Sequence, residues 1–342
     1  MTVRAPLVAA DWGPAVGLGH LQRSLALAQA CQQEGASPRV VSPERGPLRE
    51  RVEGAGLPTA VVAGWPEWSA RGIGALLDRA RAHGSDAIVV DSYRVAPMEL
   101  ERLRASGATL VAIDDLAAAP SPCHVVVNGG AAARHLPYRS LHGDTRFLLG
   151  PEYALLRPEF WSRSPRKTRE TDDAILLSTG GGEATAVTRR ILAALDALPA
   201  NFAIEVLVGP LVDPAAIATV GVTCRHAVRL HHDPPYVRDL LLGADLAVSG
   251  AGQTLSELAW AGCPTVAFAL AENQRANLGA MAALGAVRSV GFAGAAPFAA
   301  AVRAAVEPLL VDRAAREAMG EAGRRAIDGR GAQRVASELC GS

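Results

Sequence analysis

Lysine is nearly absent from this chain of 342 residues, which has a single lysine, Lys167, beside 33 arginines. A P-loop needs a lysine next to its glycines, and a Schiff-base enzyme needs a lysine as its nucleophile. Lys167 lies in a polar connecting stretch with no glycine-rich loop around it. The sequence therefore excludes both chemistries.

Cysteine motifs and long apolar runs are also missing. The five cysteines lie far apart with no CxxC spacing: Cys31, Cys123, Cys224, Cys263 and Cys340. This pattern predicts reduced thiols of a cytoplasmic protein, with neither a zinc cage nor a disulfide framework and no metal or other cofactor. The N-terminus has no signal-peptide pattern, and no stretch reaches the ~18 apolar residues of a membrane span, so we expect no integral membrane segment.

The charge balance excludes a nucleic-acid binder. The formal net charge is zero, and the arginines are scattered among acidic residues with no basic run. The length and the 49% share of hydrophobic residues are enough to form two ordinary cores. No feature of the sequence indicates an oligomeric state.

Short apolar runs alternate with helical patterns along the chain, which predicts βαβ units and parallel sheets. In the first half we expect strands at 7–11, 39–42, 60–62, 87–91, 109–113 and 125–128, with helices at 21–34, 47–55, 70–83 and 98–105. The polar stretch 161–173 predicts a linker. After it, strands lead into loops at 174–183, 202–209, 244–253 and 263–274, and a helix is expected within 312–329. We therefore predict two doubly wound, Rossmann-like α/β domains, 1–160 and 174–342, with a site in the cleft between them.

The stretch VGLGHLQR, 16–23, stands where the first strand leads into a helix. Gly17 and Gly19 allow a tight turn and the approach of a ligand, and His20 occupies the helix entrance. The helix dipole disfavours a cationic imidazole there, which suits a general base, although a histidine that only caps the helix is the alternative. Arg23 shares a helix face with His20 and can orient it, bind an anion or remain an ordinary surface residue.

Acidic residues follow two later strands of the same domain. Asp91 and Tyr93 follow one, and Asp114 and Asp115 follow the other. One of these carboxylates can hold His20, although helix capping is an alternative for each. Trp65 and Trp68 are candidates for the wall of a sugar site, or for loop packing. The pair His231 and His232, with Asp233, has no third ligand at metal spacing, so it predicts no metal site.

The second half has three polar loops that follow strands. Two are rich in glycine and enter helices, which suits a diphosphate, while Glu257 can accept hydrogen bonds from both hydroxyls of a ribose. Plain turns, a helix cap at Asn273 and a solvated Glu257 are the alternatives. The candidate substrate-binding residues of this half are Ser178, Gly180, Gly181, Gly250, Ala251, Gly252, Gln253, Thr254, Glu257, Asn273 and Gln274.

Several of these stretches occur together in one known family. The ordered motifs GLGHLQR, VVDSY, AIDDL, LLGPEYALLRPEF, LLSTGGGE, GADLAVSGAGQTLSELAWAGCPTV and LAENQRAN resemble those of the nucleotide-sugar hydrolase of pseudaminic-acid biosynthesis. That enzyme releases UDP from a diacetamido-trideoxy-altropyranose and is related to the GlcNAc transferase that makes lipid II. The resemblance covers about residues 6–290.

The resemblance implies a GT-B fold, a nucleotide held by the C-terminal domain and no metal ion. By the same resemblance His20 matches the catalytic histidine, Tyr93 a site tyrosine and Glu257 the ribose-binding glutamate, while Asn273 and Gln274 fall in the motif at the sugar and phosphate. Gln253 departs from the family pattern, as does the segment NGGAAARHLPY, 128–138. The resemblance implies that both line the sugar side.

These observations lead to one main hypothesis and two alternatives. The main one is metal-independent hydrolysis of a nucleotide-diphospho-sugar, most simply a UDP-sugar, with His20 as general base and Asp91 and Tyr93 as further catalytic residues. A glycosyltransferase with the same site and an acceptor hydroxyl in place of water is the first alternative. A nucleotide-sugar sensor without activity is the second.

Overall fold

The computed structural model describes residues 2–13, 16–164, 174–180, 185–215, 217 and 224–341. Two compact units divide the chain. The first consists of Met1–Trp12, His20–Trp161 and Gly329–Ser342, and the second of Gly13–Gly19 and Ser162–Asp328. The end of the chain, which the sequence-based boundaries place in the second domain, is thus grouped with the first unit, and the remaining boundaries stay a prediction.

The first unit is built on a parallel sheet of seven strands in the order β3-β2-β1-β4-β5-β6-β7. The strands are β1 Pro6–Ala10, β2 Arg39–Ser42, β3 Thr59–Val61, β4 Ala87–Asp91, β5 Thr109–Ile113, β6 Val125–Asn128 and β7 Arg146–Leu149. The central strands β1, β4 and β5 are buried at every residue. This is why they read as continuous apolar runs, as is usual for parallel strands covered on both faces.

Helices connect these strands. They are α1 Gly19–Gln33, α2 Pro47–Gly54, α3 Ala70–Ala82 and α4 Pro97–Arg104, with short 3-10 helices at Ala133–His135, Pro151–Tyr153 and Pro158–Phe160. Ser69 caps α3 by accepting a hydrogen bond from the Gly72 N–H. Proline stands at the start of α2 and α4, where a missing N–H costs nothing.

The second unit repeats the design with a parallel sheet of six strands in the order β10-β9-β8-β11-β12-β13. These strands are β8 Ala174–Ser178, β9 Ala203–Val208, β10 Ala227–His232, β11 Leu246–Gly250, β12 Thr265–Ala269 and β13 Arg288–Phe292. Its described helices of seven residues or more are α5 Thr185–Asp196, α6 Val237–Gly243, α7 Gln253–Ala261, α8 Gln274–Ala283, α9 Phe298–Val311 and α10 Arg313–Ala326. The last helix of the chain, α11 Gly331–Cys340, belongs to the first unit.

Both sheets have the same doubly wound topology, which confirms the predicted fold class of two Rossmann-like α/β domains. In the first sheet the order reverses between β1 and β4, and in the second between β8 and β11. Ligands of such sheets bind beyond the carboxyl ends of the strands at this reversal point. The topology therefore directs attention to the loops after these four strands.

Across the described parts of the chain, every helix falls short of the length and apolar character that a bilayer span requires.

Candidate active site

His20 and Asp91 meet at the reversal point of the first sheet. Asp91 is the last residue of β4, and His20 lies in the first turn of α1, which follows β1. The two strands are neighbours, with Ala10 opposite Asp91 in the register. The fold thus brings together two residues that are 71 positions apart in the sequence.

The two side chains form a buried hydrogen-bonded pair. His20 Nδ1 lies 2.6 Å from Asp91 Oδ1, and the residues are 5% and 0% exposed. Burial by itself would raise the pKa of Asp91, but the charge of Arg23, then that of His20, and their hydrogen bonds outweigh it and lower this pKa to about 2. An ionised carboxylate only accepts hydrogen bonds, so Nδ1 is the donor and Nε2 is left with the lone pair that can take a proton.

Arg23 and Ser24 complete the surroundings of Asp91. Arg23 Nε donates to Asp91 Oδ2 and Nη2 to Oδ1, both at 2.7 Å, while the Ser24 hydroxyl donates to Oδ2 at 3.1 Å. The third guanidinium nitrogen, Nη1, donates to Asp115 Oδ2 at 3.0 Å. Arg23 therefore contacts both Asp91 and Asp115, while its orienting of His20 and its binding of substrate stay predictions.

Tyr93 lies over the imidazole. The rings of Tyr93 and His20 pack edge to face with centroids 4.4 Å apart, and the Tyr93 hydroxyl donates to Asp115 Oδ2 at 2.8 Å. Burial of the hydroxyl and the charge of Asp115 raise the pKa of Tyr93. The residue is 40% exposed, so it forms the boundary between His20 and the outside of the first unit.

Asp114 does not join this cluster, although it is adjacent to Asp115. Its carboxylate accepts hydrogen bonds from the N–H groups of Leu116 and Ala117 and so closes the turn after β5. Burial raises the pKa of Asp114, and the Leu116 hydrogen bond opposes this. Of the four candidate residues at these two strand ends, the structure gathers Asp91, Tyr93 and Asp115 around His20.

The sequence analysis missed a second buried carboxylate, Asp11, just after β1. It accepts hydrogen bonds from Trp68 Nε1 at 2.6 Å, from the Ser92 hydroxyl at 2.5 Å and from the Arg94 guanidinium. Ser92 and Arg94 flank Tyr93, so Asp11 fixes the loop that carries this residue. The available signal was its position at the carboxyl end of the central strand.

Both tryptophans of the GWPEWS stretch pack inside the first unit. Trp65 is 4% exposed and Trp68 7%, with their rings 4.8 Å apart in an edge-to-face arrangement. Of the two readings left open for these residues, the packing supports the structural one.

In the second unit, Ser178 ends β8 and is buried, and Gly180 follows with a φ of 89°. Between them the Thr179 hydroxyl contacts that of Thr188 on α5 at 2.9 Å, which ties the loop to its helix. Gly181, the next candidate, lies outside the described residues. A positive φ favours glycine, so the Gly180 turn explains part of the glycine run.

The second glycine loop follows the neighbouring strand β11. Gly250 ends the strand, the Ala251 N–H donates to Phe268 O at 2.8 Å, and Gly252 precedes α7 without a side-chain cap. Gln253 and Thr254 form the first turn of α7, at the positive end of the helix dipole. The two glycine loops thus lie at adjacent strand ends of one sheet.

Glu257 lies one turn into α7 and is 2% exposed, so it is not the solvated helix residue that was its alternative reading. On the next strand end, Gln274 Oε1 accepts the Leu270 N–H at 2.8 Å at the start of α8. Asn273 precedes that helix but makes no side-chain cap. Contact of these residues with a ribose, sugar or phosphate stays a prediction.

Gly17 and the histidine pair complete the set of candidates. Gly17 has a φ of 75°, and its N–H donates to Gly13 O at 2.7 Å. This makes a tight turn just before α1, which begins at Gly19. His231 contacts Glu205 Oε2 at 2.7 Å on β9. Among the described residues, no group of three or more His, Cys, Asp or Glu side chains gathers in a way that could hold a metal ion.

No family model matches the chain. A segment is 26% identical over 161 residues to an uncharacterised protein, MJ1062, of Methanocaldococcus jannaschii, covering 44% of this chain and 33% of that protein. The chain therefore spans about a third of the curated relative that it matches.

Solved structures match nearly the whole chain. MurG of Acinetobacter baumannii superposes with a TM-score of 0.67 at 17% identity, covering 98% of this chain and 99% of its own. MnaA of S. aureus, solved with UDP, superposes with a TM-score of 0.69 at 13% identity, and the match covers 98% of this chain and 95% of MnaA. The calicheamicin glycosyltransferase CalG4 superposes with a TM-score of 0.63 at 18% identity, and the match covers 99% of this chain and 98% of CalG4. The chain has the GT-B fold.

Proposed function

We propose that this protein is a glycosyltransferase that uses a nucleotide-diphospho-sugar as donor and activates the acceptor hydroxyl with His20. The observation that carries the proposal is the buried His20–Asp91 pair at the reversal point of the first sheet. An imidazole held in one tautomer by an ionised carboxylate is the arrangement that a general base requires. That position is also where a doubly wound sheet binds its ligand.

The reaction needs one proton acceptor and one stabiliser of the leaving group. His20 Nε2 takes the proton of the acceptor hydroxyl as its oxygen forms a bond to the anomeric carbon, and Asp91 stabilises the resulting imidazolium. The bond from the anomeric carbon to the diphosphate breaks, and the nucleotide leaves with the bonding electrons. The glycine loops after β8 and β11 offer backbone N–H groups and the positive end of α7 to a diphosphate.

The choice of a transferase over a hydrolase rests on the structural neighbours. CalG4 is named as a glycosyltransferase, as are the enzyme of kitacinnamycin and the spinosyn rhamnosyltransferase SpnG. The match to SpnG has a TM-score of 0.63 and covers 100% of the SpnG chain. MnaA and the Anabaena protein HepE were both solved with UDP, which favours UDP as the nucleotide here.

Hydrolysis is the second candidate, favoured by a different observation. The ordered motifs from GLGHLQR to LAENQRAN resemble a nucleotide-sugar hydrolase, and the same His20 can deprotonate water in place of an acceptor. The two reactions share the donor site, the base and the leaving group. They differ only in the oxygen that attacks the anomeric carbon.

Isotope labelling separates these reactions in one experiment. The purified protein is incubated with a panel of UDP-, dTDP-, GDP- and CMP-sugars in H2(18)O with EDTA, with and without a mixture of hydroxylated acceptors. Nucleotide release is quantified, and mass spectrometry determines whether the sugar products contain the heavy oxygen. His20→Gln is the test variant, and His83→Gln, a histidine at the end of α3, is the matched control.

We expect nucleotide release to depend on the acceptor and the sugar conjugate to contain no heavy oxygen. The rate of release should fall about 100-fold or more in His20→Gln but not in His83→Gln. Release without acceptor that places one heavy oxygen in the free sugar establishes the hydrolase. Full activity of His20→Gln, or no release with any donor, contradicts the proposal.

A further inference from the structure

The His20–Asp91 pair poses an electrostatic difficulty. A buried carboxylate 2.6 Å from an imidazole stabilises the imidazolium strongly, since little solvent screens the two charges. A histidine that is already protonated near neutral pH cannot act as a base. Besides the dipole of α1, a group that limits the pull of Asp91 therefore favours a base at this position.

The guanidinium of Arg23 has the position to do this. Asp91 Oδ1 receives both His20 Nδ1 at 2.6 Å and Arg23 Nη2 at 2.7 Å, so the imidazole and the guanidinium share one oxygen. Arg23 Nε holds the other oxygen at 2.7 Å. The contact is bidentate, and the Arg23 side chain is only 15% exposed, so its charge is poorly screened.

We propose that Arg23 is a positioning residue that fixes the plane of the Asp91 carboxylate and offsets its charge, which limits the proton affinity that Asp91 gives to His20. The inference rests on the proposed function, because it assigns Arg23 a task only if His20 takes a proton. It differs from a substrate-binding role, since Arg23 acts here through Asp91 and not on the ligand.

A second carboxylate sets the balance. Among the described contacts, His20 touches Asp91 and Tyr93, and these two residues connect it to Arg23 and Asp115. Two carboxylates and one guanidinium leave this group with one net negative charge. Removing Arg23 makes the surroundings of His20 more negative, and removing Asp115 makes them less negative.

The proposal therefore predicts shifts of opposite sign for two substitutions at neighbouring positions. Arg23→Gln should move the protonation midpoint of His20 upward by about one pH unit or more, which is a tenfold or greater rise in proton affinity. Asp115→Asn should move it downward, because Arg23 is then shared with one carboxylate fewer. Arg23→Lys keeps the charge but not the two-point contact, so we expect an intermediate upward shift.

The midpoint can be read without any substrate. The protein is labelled with 13C at histidine Cε1 and titrated by NMR, and the His20 signal is assigned as the one that disappears in His20→Gln. Arg81→Gln is the matched control, because Arg81 forms an exposed pair with Asp78 on α3, outside the site. Circular dichroism checks that each variant is folded, and the acidic limb of the pH–rate profile gives the second readout.

Opposite shifts in Arg23→Gln and Asp115→Asn, with Arg81→Gln unchanged and the acidic limb following the NMR midpoint, support the proposal. A folded Arg23→Gln whose midpoint stays within about 0.3 units of the parent overturns it, whatever happens to its activity. Should Arg23→Gln not fold, Arg23→Lys and Asp115→Asn decide, and the proposal fails if neither moves in its stated direction.

The design keeps this proposal separate from the proposed function. Activity that depends on His20, with unmoved midpoints, removes the role of Arg23 and leaves the function standing. Shifted midpoints without turnover of any nucleotide sugar retain the electrostatic role and remove the function. A raised KM in Arg23→Gln with an unchanged midpoint assigns Arg23 to substrate binding, which also overturns the proposal.

Discussion

Asp91 shows how far single residues could be read from the sequence. The GLGH turn predicts His20 at a helix entrance, and the apolar run before Asp91 predicts a strand-end carboxylate. Which of the nearby acids would meet His20 stayed open, because a strand end fixes the edge of the sheet but not the side chain's direction. In the structure Asp91 accepts from three side chains on α1, while Asp114 turns to backbone N–H groups.

The same carboxylate predicts a dependence of stability on pH. Its pKa is about 2 in the folded protein against an ordinary 3.8, so its contribution to folding is present above about pH 4 and is lost as the pH falls toward 2. Asp91→Asn also leaves Arg23 partly unpaired inside the protein. We expect this variant to lose about 3 kcal/mol of unfolding free energy at pH 7.

Urea denaturation from pH 7 to pH 2.5 measures this effect. The difference between the parent and Asp91→Asn should narrow as the pH falls below 4. Asp78→Asn, at an exposed carboxylate on α3, is the control and should stay within about 0.5 kcal/mol of the parent. A difference that does not change with pH would show that the charge of Asp91 contributes no folding energy.

At the scale of elements, two glycines in helices of the second unit have opposite roles. Gly320 on α10 faces the turn after α7, and a Cβ there would lie 2.4 Å from Gly262 O. A Cβ added at Gly279 on α8 would have no neighbouring atom within 4 Å. The first glycine allows a close contact between α10 and the C-terminal end of α7, and the second only lowers helix propensity.

Replacing each glycine by alanine should therefore change stability in opposite directions. Gly320→Ala forces the two helices apart and should cost about 1–3 kcal/mol, whereas Gly279→Ala should gain roughly 0.5–1 kcal/mol. Thermal or denaturant unfolding of the two variants measures both values, each serving as the control for the other. Equal effects would show that helix propensity and not the α7–α10 contact decides the outcome.

The strands that the sequence analysis missed share a physical reason. The strands β7, β10 and β13 each form an edge of a sheet and are only partly buried. An edge strand has a neighbour on one side only, so its sequence mixes polar and apolar residues and lacks the clear apolar run of β1 or β11. Central strands could be predicted to within a residue or two because burial on both faces dictates their composition.

At the scale of the whole molecule, the return of the chain end to the first unit could not be read from the sequence. The sequence analysis expected a helix within 312–329 and did not single out α11, and an amphipathic pattern in any case does not specify the core that receives the buried face. In the structure α11 adds Val335, Ala336 and Leu339 to the core of the first unit, and the Val3 N–H donates to Leu339 O at 2.8 Å. The first and last segments of the chain thus hold the same unit.

This arrangement predicts where a defect near the C-terminus will act. Leu339 is 4% exposed, so Leu339→Ala should cost about 2–4 kcal/mol, and the loss should fall on the first unit. Hydrogen exchange followed by mass spectrometry should show that Leu339→Ala speeds exchange, relative to the parent, more in β1, β4 and β5 than in β8 and β11. Val311→Ala, at a side chain that is 86% exposed, is the matched control and should leave exchange unchanged. Faster exchange mainly in the second unit would contradict the assignment of α11, because a helix stabilises the core in which its apolar side chains are buried.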